Sequence, residues 1–346
     1  MLRAVFNFFR RSDSDGHAGS GTAETDGLRT DGGTAEAPPE PTTGGDAAVS
    51  RLKDAVDGEF ARSIPFWGPP AFLVTLFVYG AIGWNTIISL TDWNGLGQPQ
   101  YDSFDLSMYT QLLADPTFRV AARNTVVLLV AFTVVTLALG LFLAILVDRG
   151  VRFENGFRTI YLLPMSLSFV VTAIFWSWMY NPDIGLINEL LRFVGLGALT
   201  TAWISDPTTK LGAVVFALTW QFSGYAMVVY LAGLQAIPRD QYEAARIDGA
   251  STVRMYWRVI IPQLRSATTS AAVVLMVFAL KAFDFMFVMF GTQPGPSADI
   301  LAVMMFREAF AKTNWAYGSA IAMVLFLMTL GVIGPYLFRQ HQRGEL

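Results

Sequence analysis

Cysteine is absent from the 346 residues, which excludes disulfides, a thiolate nucleophile and any zinc or iron–sulfur centre held by sulfur. Histidine is nearly absent too. The two present, His17 and His341, lie in polar terminal stretches, so a buried imidazole base or metal ligand has no candidate. Lysine occurs only as Lys53, Lys210, Lys281 and Lys312, and none follows the glycine-rich spacing that cradles a nucleotide's phosphates. The chain therefore carries no recognisable ATP site of its own. Charged residues make up 15%, against roughly 25% in an ordinary soluble domain. The net charge of −3 gives no argument for nucleic acid as a partner.

What is abundant is apolar: 53% of residues are hydrophobic and mean hydropathy is +0.44. Six apolar runs, approximately 66–90, 124–147, 159–180, 211–236, 267–290 and 315–338, reach spanning length, because about 20 residues at 1.5 Å each cross a hydrocarbon core of about 30 Å. Inside lipid every backbone N–H and C=O needs an internal partner, so such runs must be helices. The predicted fold is an all-α membrane protein with six transmembrane helices.

Four regions follow. Residues 1–50 end in a stretch rich in Gly, Thr, Ser, Pro and acidic residues, in which Arg29 is the lone basic residue after position 12. This composition predicts a disordered acidic tail. The opening MLRAVFNFFRR is too short in its apolar part for a secretory signal and reads as uncleaved. Residues 51–65 form a pre-membrane segment, 66–338 the six-helix membrane domain, and 339–346 a polar C-terminal tail.

Basic residues set the expected orientation. Arg51, Lys53, Arg62, Arg149, Arg152, Arg158, Arg239, Arg246, Arg254, Arg258, Arg265, Arg339 and Arg343 fall on one side; Arg119, Arg123, Arg192, Lys210, Arg307 and Lys312 fall on the other. Both termini are thus expected in the cytoplasm of a prokaryote, the chain being a multi-pass protein of its plasma membrane. Arginine outnumbers lysine twenty to four, a bias that fits a GC-rich or salt-loving source. Gly140, Gly224, Gly233 and Gly331 are small enough to let helices approach closely.

The stretch from Pro238 to Arg265 is long, basic and organised, reading PRDQYEAARIDGASTVRMYWRVIIPQLR. Asp240 and Glu243 have capping-box spacing, predicting a helix over Gln241 to Asp248. Gly249 suits a left-handed C-terminal residue, Ser251 or Thr252 can cap a second short helix ending near Ile261, and Pro262 begins the approach to the fifth span. Tyr242, Ala244 and Ala245 offer a small, flat surface ringed by charge. Two readings fit: a helix that docks into a partner's cleft, or an amphipathic linker resting on lipid headgroups.

Here the residues resemble a known family. Glu243-Ala244-Ala245, Gly249, Val259, Ile261 and Pro262 are similar to the EAA loop of the membrane subunits of ATP-binding-cassette importers, with Val and Ile standing where the pattern has Ile and Leu. The FDFMFVMFGTQPGP stretch, with Phe283, Asp284, Gly291, Pro294 and Pro296, resembles the maltose and glycerol-phosphate permease branch, as does FREAFAKTNWAYGSAIAMVLFLM. The likeness covers about residues 64–340. It implies a permease half-pore for a carbohydrate, paired with a second identical or homologous permease subunit. It also implies an extracellular solute-binding protein and two cytoplasmic ATPase subunits that would hold ATP and Mg. On this resemblance Glu243 pairs with a basic group of the ATPase, Ala244 and Ala245 allow close approach, Gly249 permits the turn and Pro262 transmits motion. The chain itself would be no enzyme.

Intramembrane polar residues mark the expected substrate path. Lys281 and Asp284 stand three apart in the fifth run and are expected on one helix face, either neutralising each other or meeting an anionic or hydroxyl-rich ligand. Trp220, Gln221, Ser223 and Tyr225 in the fourth run combine aromatic faces with hydrogen-bonding groups, the mixture a sugar ring needs, though packing or interface anchoring also fits. Tyr225 falls where related maltose permeases place a sugar-contacting tyrosine. The connections 91–123 and 181–210 either meet a substrate-delivering protein or are solvated. Two rival readings stay open: an importer of the same machinery for a non-sugar solute, and an ion-driven secondary transporter working through Lys281 and Asp284.

Overall fold

The computed structural model describes residues 59–99, 101, 104–149 and 154–342. The predicted acidic tail, residues 51–58 of the pre-membrane segment and the last four residues lie outside the described residues. The chain divides into two units, 1–69 and 70–346. In the first, the described residues belong to the start of a helix, where the Trp67 indole N–H donates to Ser63 Oγ at 3.1 Å.

Among the described residues there is no strand. The helices are α1 (Ser63–Ser89), α2 (Ser107–Ala114), α3 (Pro116–Asp148), α4 (Thr159–Ser166), α5 (Phe169–Met179), α6 (Leu186–Phe193), α7 (Lys210–Gln235), α8 (Arg239–Ile247), α9 (Thr252–Leu280), α10 (Phe283–Phe290), α11 (Leu301–Phe306) and α12 (Trp315–Gln342). Five of them, α1, α3, α7, α9 and α12, are long and apolar enough to cross a membrane unaided.

The third run departs from a straight span: α4 and α5 meet at 107°. Pro164 withholds a backbone donor inside the tight turn Leu163–Ser166, and Ser168 starts the next helix by accepting from Val171 N at 3.3 Å. Counting this bent pair as one crossing gives six. The Leu167 carbonyl released at the bend accepts the Gln221 side-chain N–H at 2.8 Å, which satisfies a group that lipid would leave unpaired.

The fifth run also differs from expectation. Its helix begins at Thr252 and stops at Leu280; Lys281 and Ala282 leave helical geometry, and α10 starts afresh. Hydropathy is continuous across this break, so packing decides it. α9 lies along α3, whereas α10 turns its buried Phe285 and Met286 onto α5, and a straight helix could not serve both neighbours.

The central core joins Leu128 and Phe132 of α3, Ala173 and Trp176 of α5, Val214, Ala217 and Phe222 of α7, Leu275 of α9 and Phe285 of α10. Close approach of α7 to its neighbours rests on glycine. A Cβ at Gly140 would lie 2.9 Å from the backbone of Ala226 and Met227, and one at Gly224 would collide with the Tyr161 backbone carbonyl. Gly233 also sits against side chains of α9, whereas Gly331 meets nothing within 4 Å and serves no close contact.

Candidate functional site

The connection between α7 and α9 builds a compact element at one end of the bundle. α8 begins at Arg239, capped by Pro238 without a side-chain hydrogen bond. The expected capping box of Asp240 and Glu243 is therefore not formed. The helix starts one residue ahead of Asp240, which becomes a first-turn residue, where its carboxylate favours the helix N-terminus electrostatically instead. Gly249 has φ +72°, the left-handed conformation that ends α8, and the Ala250 N–H donates to the Ala245 carbonyl at 3.0 Å. Ser251 Oγ then accepts from Arg254 N at 3.4 Å. The second short helix does not end at Ile261. It continues through a wide turn at Tyr256–Ile260 and a tight one at Ile261–Leu264 into α9, because Pro262 sits at the start of that tight turn, where its missing N–H costs nothing.

The two faces of α8 divide the predicted residues. Tyr242 and Ala245 point inward. Ala245 is 7% exposed and packs with Leu143 and Val147 of α3, Leu231 and Leu234 of α7, and Met255, Ile260 and Leu264 of α9. The Tyr242 ring meets Tyr256 edge-on at 6.4 Å, and burial, with the nearby Asp148 carboxylate and Tyr256, pushes its hydroxyl up to about 12. Glu243, Ala244, Arg246 and Ile247 point outward. Gln263 Nε2, beside exposed Pro262, donates to Gln241 Oε1 and clamps α8 to the root of α9. The reading of Ala244 and Ala245 as one contact surface is thus corrected: successive residues on a helix lie 100° apart, and Ala245 belongs to this chain's own core. Around the outward face stand Arg239, Arg246, Arg254 and Arg258, all exposed and, among the described residues, outside any ion pair.

The expected path residues are spread over α7 and the break after α9. Trp220 stacks on Phe175 at 5.5 Å and meets Trp176 edge-on at 5.6 Å. Gln221 is buried; its N–H holds the Leu167 carbonyl, while its Oε1 has no partner among the described residues. Thr133 Oγ1, Thr172 Oγ1 and Trp176 Nε1 are likewise buried without one. Ser223 turns back to the Trp220 carbonyl at 3.4 Å, and Tyr225 is half-buried beside the central core. Lys281 and Asp284 do not share a helix face: Lys281 closes α9 and Asp284 opens α10, both exposed and with no ion pair between them.

At the opposite end from α8 lies a cavity of about 950 Å³ whose walls include Asp92, Trp93, Asn94, Gln111, Asp115, Asp299, Arg307 and Glu308. Its charged floor was not foreseen. The Arg307 guanidinium donates to both Asp299 oxygens, at 3.2 and 2.6 Å, and to the Thr292 carbonyl at 3.0 Å; Lys312 donates to Glu308 at 2.7 Å. Asp299 and Glu308 are each 5% exposed. The turn over 291–300, with Gly291 at φ +69° and Gly295 at φ +80°, is gripped by backbone carbonyls. Lys210 Nζ donates to Pro294 O at 2.9 Å, and Asn124 Nδ2 donates to Pro296 O at 2.8 Å and Asp299 O at 2.9 Å. On the cavity rim Asp115 caps α3 through Thr117 N at 2.8 Å and accepts the Tyr317 hydroxyl at 2.7 Å. Burial alone would raise this carboxyl; these hydrogen bonds outweigh it and hold it below its ordinary value.

Comparison with known proteins places this architecture. The chain is 54% identical over 298 residues to the xylose/arabinose import permease protein XacH of Haloferax volcanii, covering 86% of this chain and 93% of that one. It is 31% identical over 310 residues to the diacetylchitobiose uptake system permease protein NgcF of Streptomyces coelicolor, covering 86% of each. The fold is shared with a chain in the crystal structure of a bacterial alginate ABC transporter complexed with an alginate pentasaccharide-bound periplasmic protein, at a TM-score of 0.68 and 20% identity, over 84% of this chain and 96% of that one. Such chains are membrane subunits that work with a solute-binding protein and with separate ATPase subunits, so ATP hydrolysis is not theirs. Residues 136–344, which include α8, its clamp and most of the bundle core, match the binding-protein-dependent transport system inner membrane components, and the chain belongs to that family.

Proposed function

We propose that this chain forms one half of the translocation path of an ATP-driven importer for a small sugar of the pentose class. It would pair with a second permease subunit, identical or homologous, and with two cytoplasmic ATPase subunits holding ATP and Mg. The observation that carries the cargo class is the 54% identity with a xylose/arabinose import permease over 86% of the chain. Support for the coupling comes from α8, whose inward face is fixed to the ends of α3, α7 and α9 while its outward face presents Glu243, Ala244 and exposed arginines.

In this reading α8 faces the cytoplasm, as the basic residues around it favour, and the cavity faces outward toward the solute-binding protein. A displacement of α8 by the ATPases is passed through the Gln241–Gln263 clamp and the Pro262 turn to α9. Gly249 sets the angle of the element. Trp220, Gln221 and Tyr225 on α7 lie along the cargo's path, with Lys281 and Asp284 at the break where α9 ends. Aromatic faces supply stacking for a sugar ring and the amide supplies hydroxyl recognition.

The test is uptake of radiolabelled xylose into cells lacking their own pentose uptake and expressing this chain with its partner subunits. Uptake should require this chain and an ATPase competent in hydrolysis. Uptake that persists without the ATPase would replace this reading with an ion-driven one, and uptake of a non-sugar solute alone would replace the cargo.

A further inference from the structure

The connection between α5 and α7 carries α6, whose sides differ sharply. Asn188 is its inward residue, 2% exposed; its amide N–H donates to the carbonyls of Pro182 at 3.2 Å and Thr201 at 3.0 Å, and its Oδ1 accepts the Trp203 indole N–H at 2.7 Å. Ile187 packs onto the central core. At helical spacing the opposite side holds Leu186, Leu190 and Phe193, of which Phe193 is 88% exposed. Glu189 and Arg192 pair at 2.6 Å along the polar flank. Beyond the helix, the Leu196 N–H donates to the Leu191 carbonyl at 2.8 Å and the exposed apolar surface runs on through Val194 and Leu196. An apolar surface of this extent facing water is unusual in a soluble protein.

Two observations name what covers it. The Tyr180 hydroxyl donates to the Ala213 carbonyl at 2.8 Å, tying the end of α5 to the start of α7, and the six residues between α5 and α6 reach at most about 20 Å. α6 is therefore held close to the ends of two membrane-embedded helices. α6 packs against α5, whose exposed apolar side is formed by Val171, Ile174 and Trp178, and a tryptophan at a span's end is the residue expected at headgroup level.

We propose that α6 is an interfacial helix: it lies in the headgroup–acyl boundary of the leaflet opposite α8, with Leu186, Leu190 and Phe193 in the acyl region and Glu189 and Arg192 toward water. The partner is the lipid surface itself. The proposal does not depend on the cargo.

Because this chain has no cysteine, one introduced thiol gives one label on it, attached before assembly with the partner subunits. Leu190→Cys, Phe193→Cys, Glu189→Cys and Arg192→Cys would carry a nitroxide in the assembled transporter, reconstituted in phosphatidylcholine–phosphatidylglycerol vesicles. Labels at 190 and 193 should collide with oxygen about three-fold more than with an aqueous nickel chelate, as expected for acyl-boundary sites, and labels at 189 and 192 should show the reverse. As a measurement free of substitutions, the unmodified transporter in vesicles doped with a photoactivatable phospholipid should give lipid adducts on the peptide spanning 184–196. A 193 label as open to the chelate as the 192 label would overturn the proposal. So would shielding of the 193 label that appears only when a second permease subunit or the solute-binding protein is present, or a peptide without adducts.

Discussion

Glu243 and Ala245 stand two residues apart on α8 and face opposite ways: the carboxylate is exposed at the end of the bundle, while the alanine methyl is 7% exposed against the ends of α3, α7 and α9. Ala245 seats the helix, and Glu243 is the one proposed to address a partner. Their substitutions should accordingly fail in different ways.

Ala245→Leu forces three extra carbons into a filled site, an overpacking that costs about 1–3 kcal/mol and lifts α8 from its seat. Thermal unfolding of the purified protein should show the loss, and uptake should fall with it. Ala244→Leu, on the exposed side, should leave the melting temperature unchanged and reduce ATPase capture alone.

Glu243→Lys should leave thermal stability within about 0.5 kcal/mol, as for an exposed site without an ion-pair partner among the described residues. Its effect belongs to the complex. ATPase binding should weaken by roughly tenfold or more, the order seen when a charge contact across an interface is removed, and pull-down of the ATPase subunit would measure it. Unchanged capture together with unchanged uptake would remove Glu243 from the coupling surface.

Gly249→Val places a β-branched residue at φ +72° with open space around it, so the cost is backbone strain alone, about 1–2 kcal/mol. Gly249→Asn, a residue that tolerates this conformation, should recover most of the lost uptake. Equal loss in both variants would show that contact, not conformation, matters there.

Gly224→Ala would drive a methyl into the Tyr161 backbone carbonyl. Backbone cannot swing aside as a side chain does, so α4 must shift. We expect a loss of 1–3 kcal/mol or so in thermal unfolding. Gly331→Ala meets nothing within 4 Å and should stabilise its helix slightly, by up to about 1 kcal/mol.

Asp115→Ala removes the cap of α3 and the partner of the Tyr317 hydroxyl, at a cost of about 1 kcal/mol at neutral pH. The wild-type carboxyl is held below its ordinary value of 3.8, so its charge contributes full stability above that value and loses it as pH falls through the lower folded one. The gap between wild type and variant should be constant from pH 7 to about 5 and narrow below about 4. A gap that widens on acidification would contradict the assignment.

The local features were legible in the sequence because they depend on neighbours a few residues away. Apolar length gave the long helices, Gly249 its left-handed turn, and Ser251 its cap. Features set by distant packing were not. The end of α9 at Leu280 lies inside an unbroken apolar run, so Lys281 and Asp284 look like neighbours on one helix until α10 is seen to turn toward α5. The inward direction of Ala245 depends on which face of α8 meets the bundle, which spacing alone leaves open. Asp299 and Arg307 are eight residues apart across a turn and a short helix; nothing in the spacing announces a bidentate pair, although two charged residues so close to apolar runs invite a search for partners. The Asp240 cap failed by two residues, where Pro238 rather than Asp240 set the start of the helix.

Lys210, Asn124 and Arg307 hold the 291–300 turn from three sides, and each grips main-chain oxygens there. A fastening to oxygen atoms that every residue type possesses leaves the shape of the turn indifferent to what Gln293 or Ser297 display. Substitutions at those two positions can therefore change the outward chemistry of the turn while the backbone beneath keeps one form.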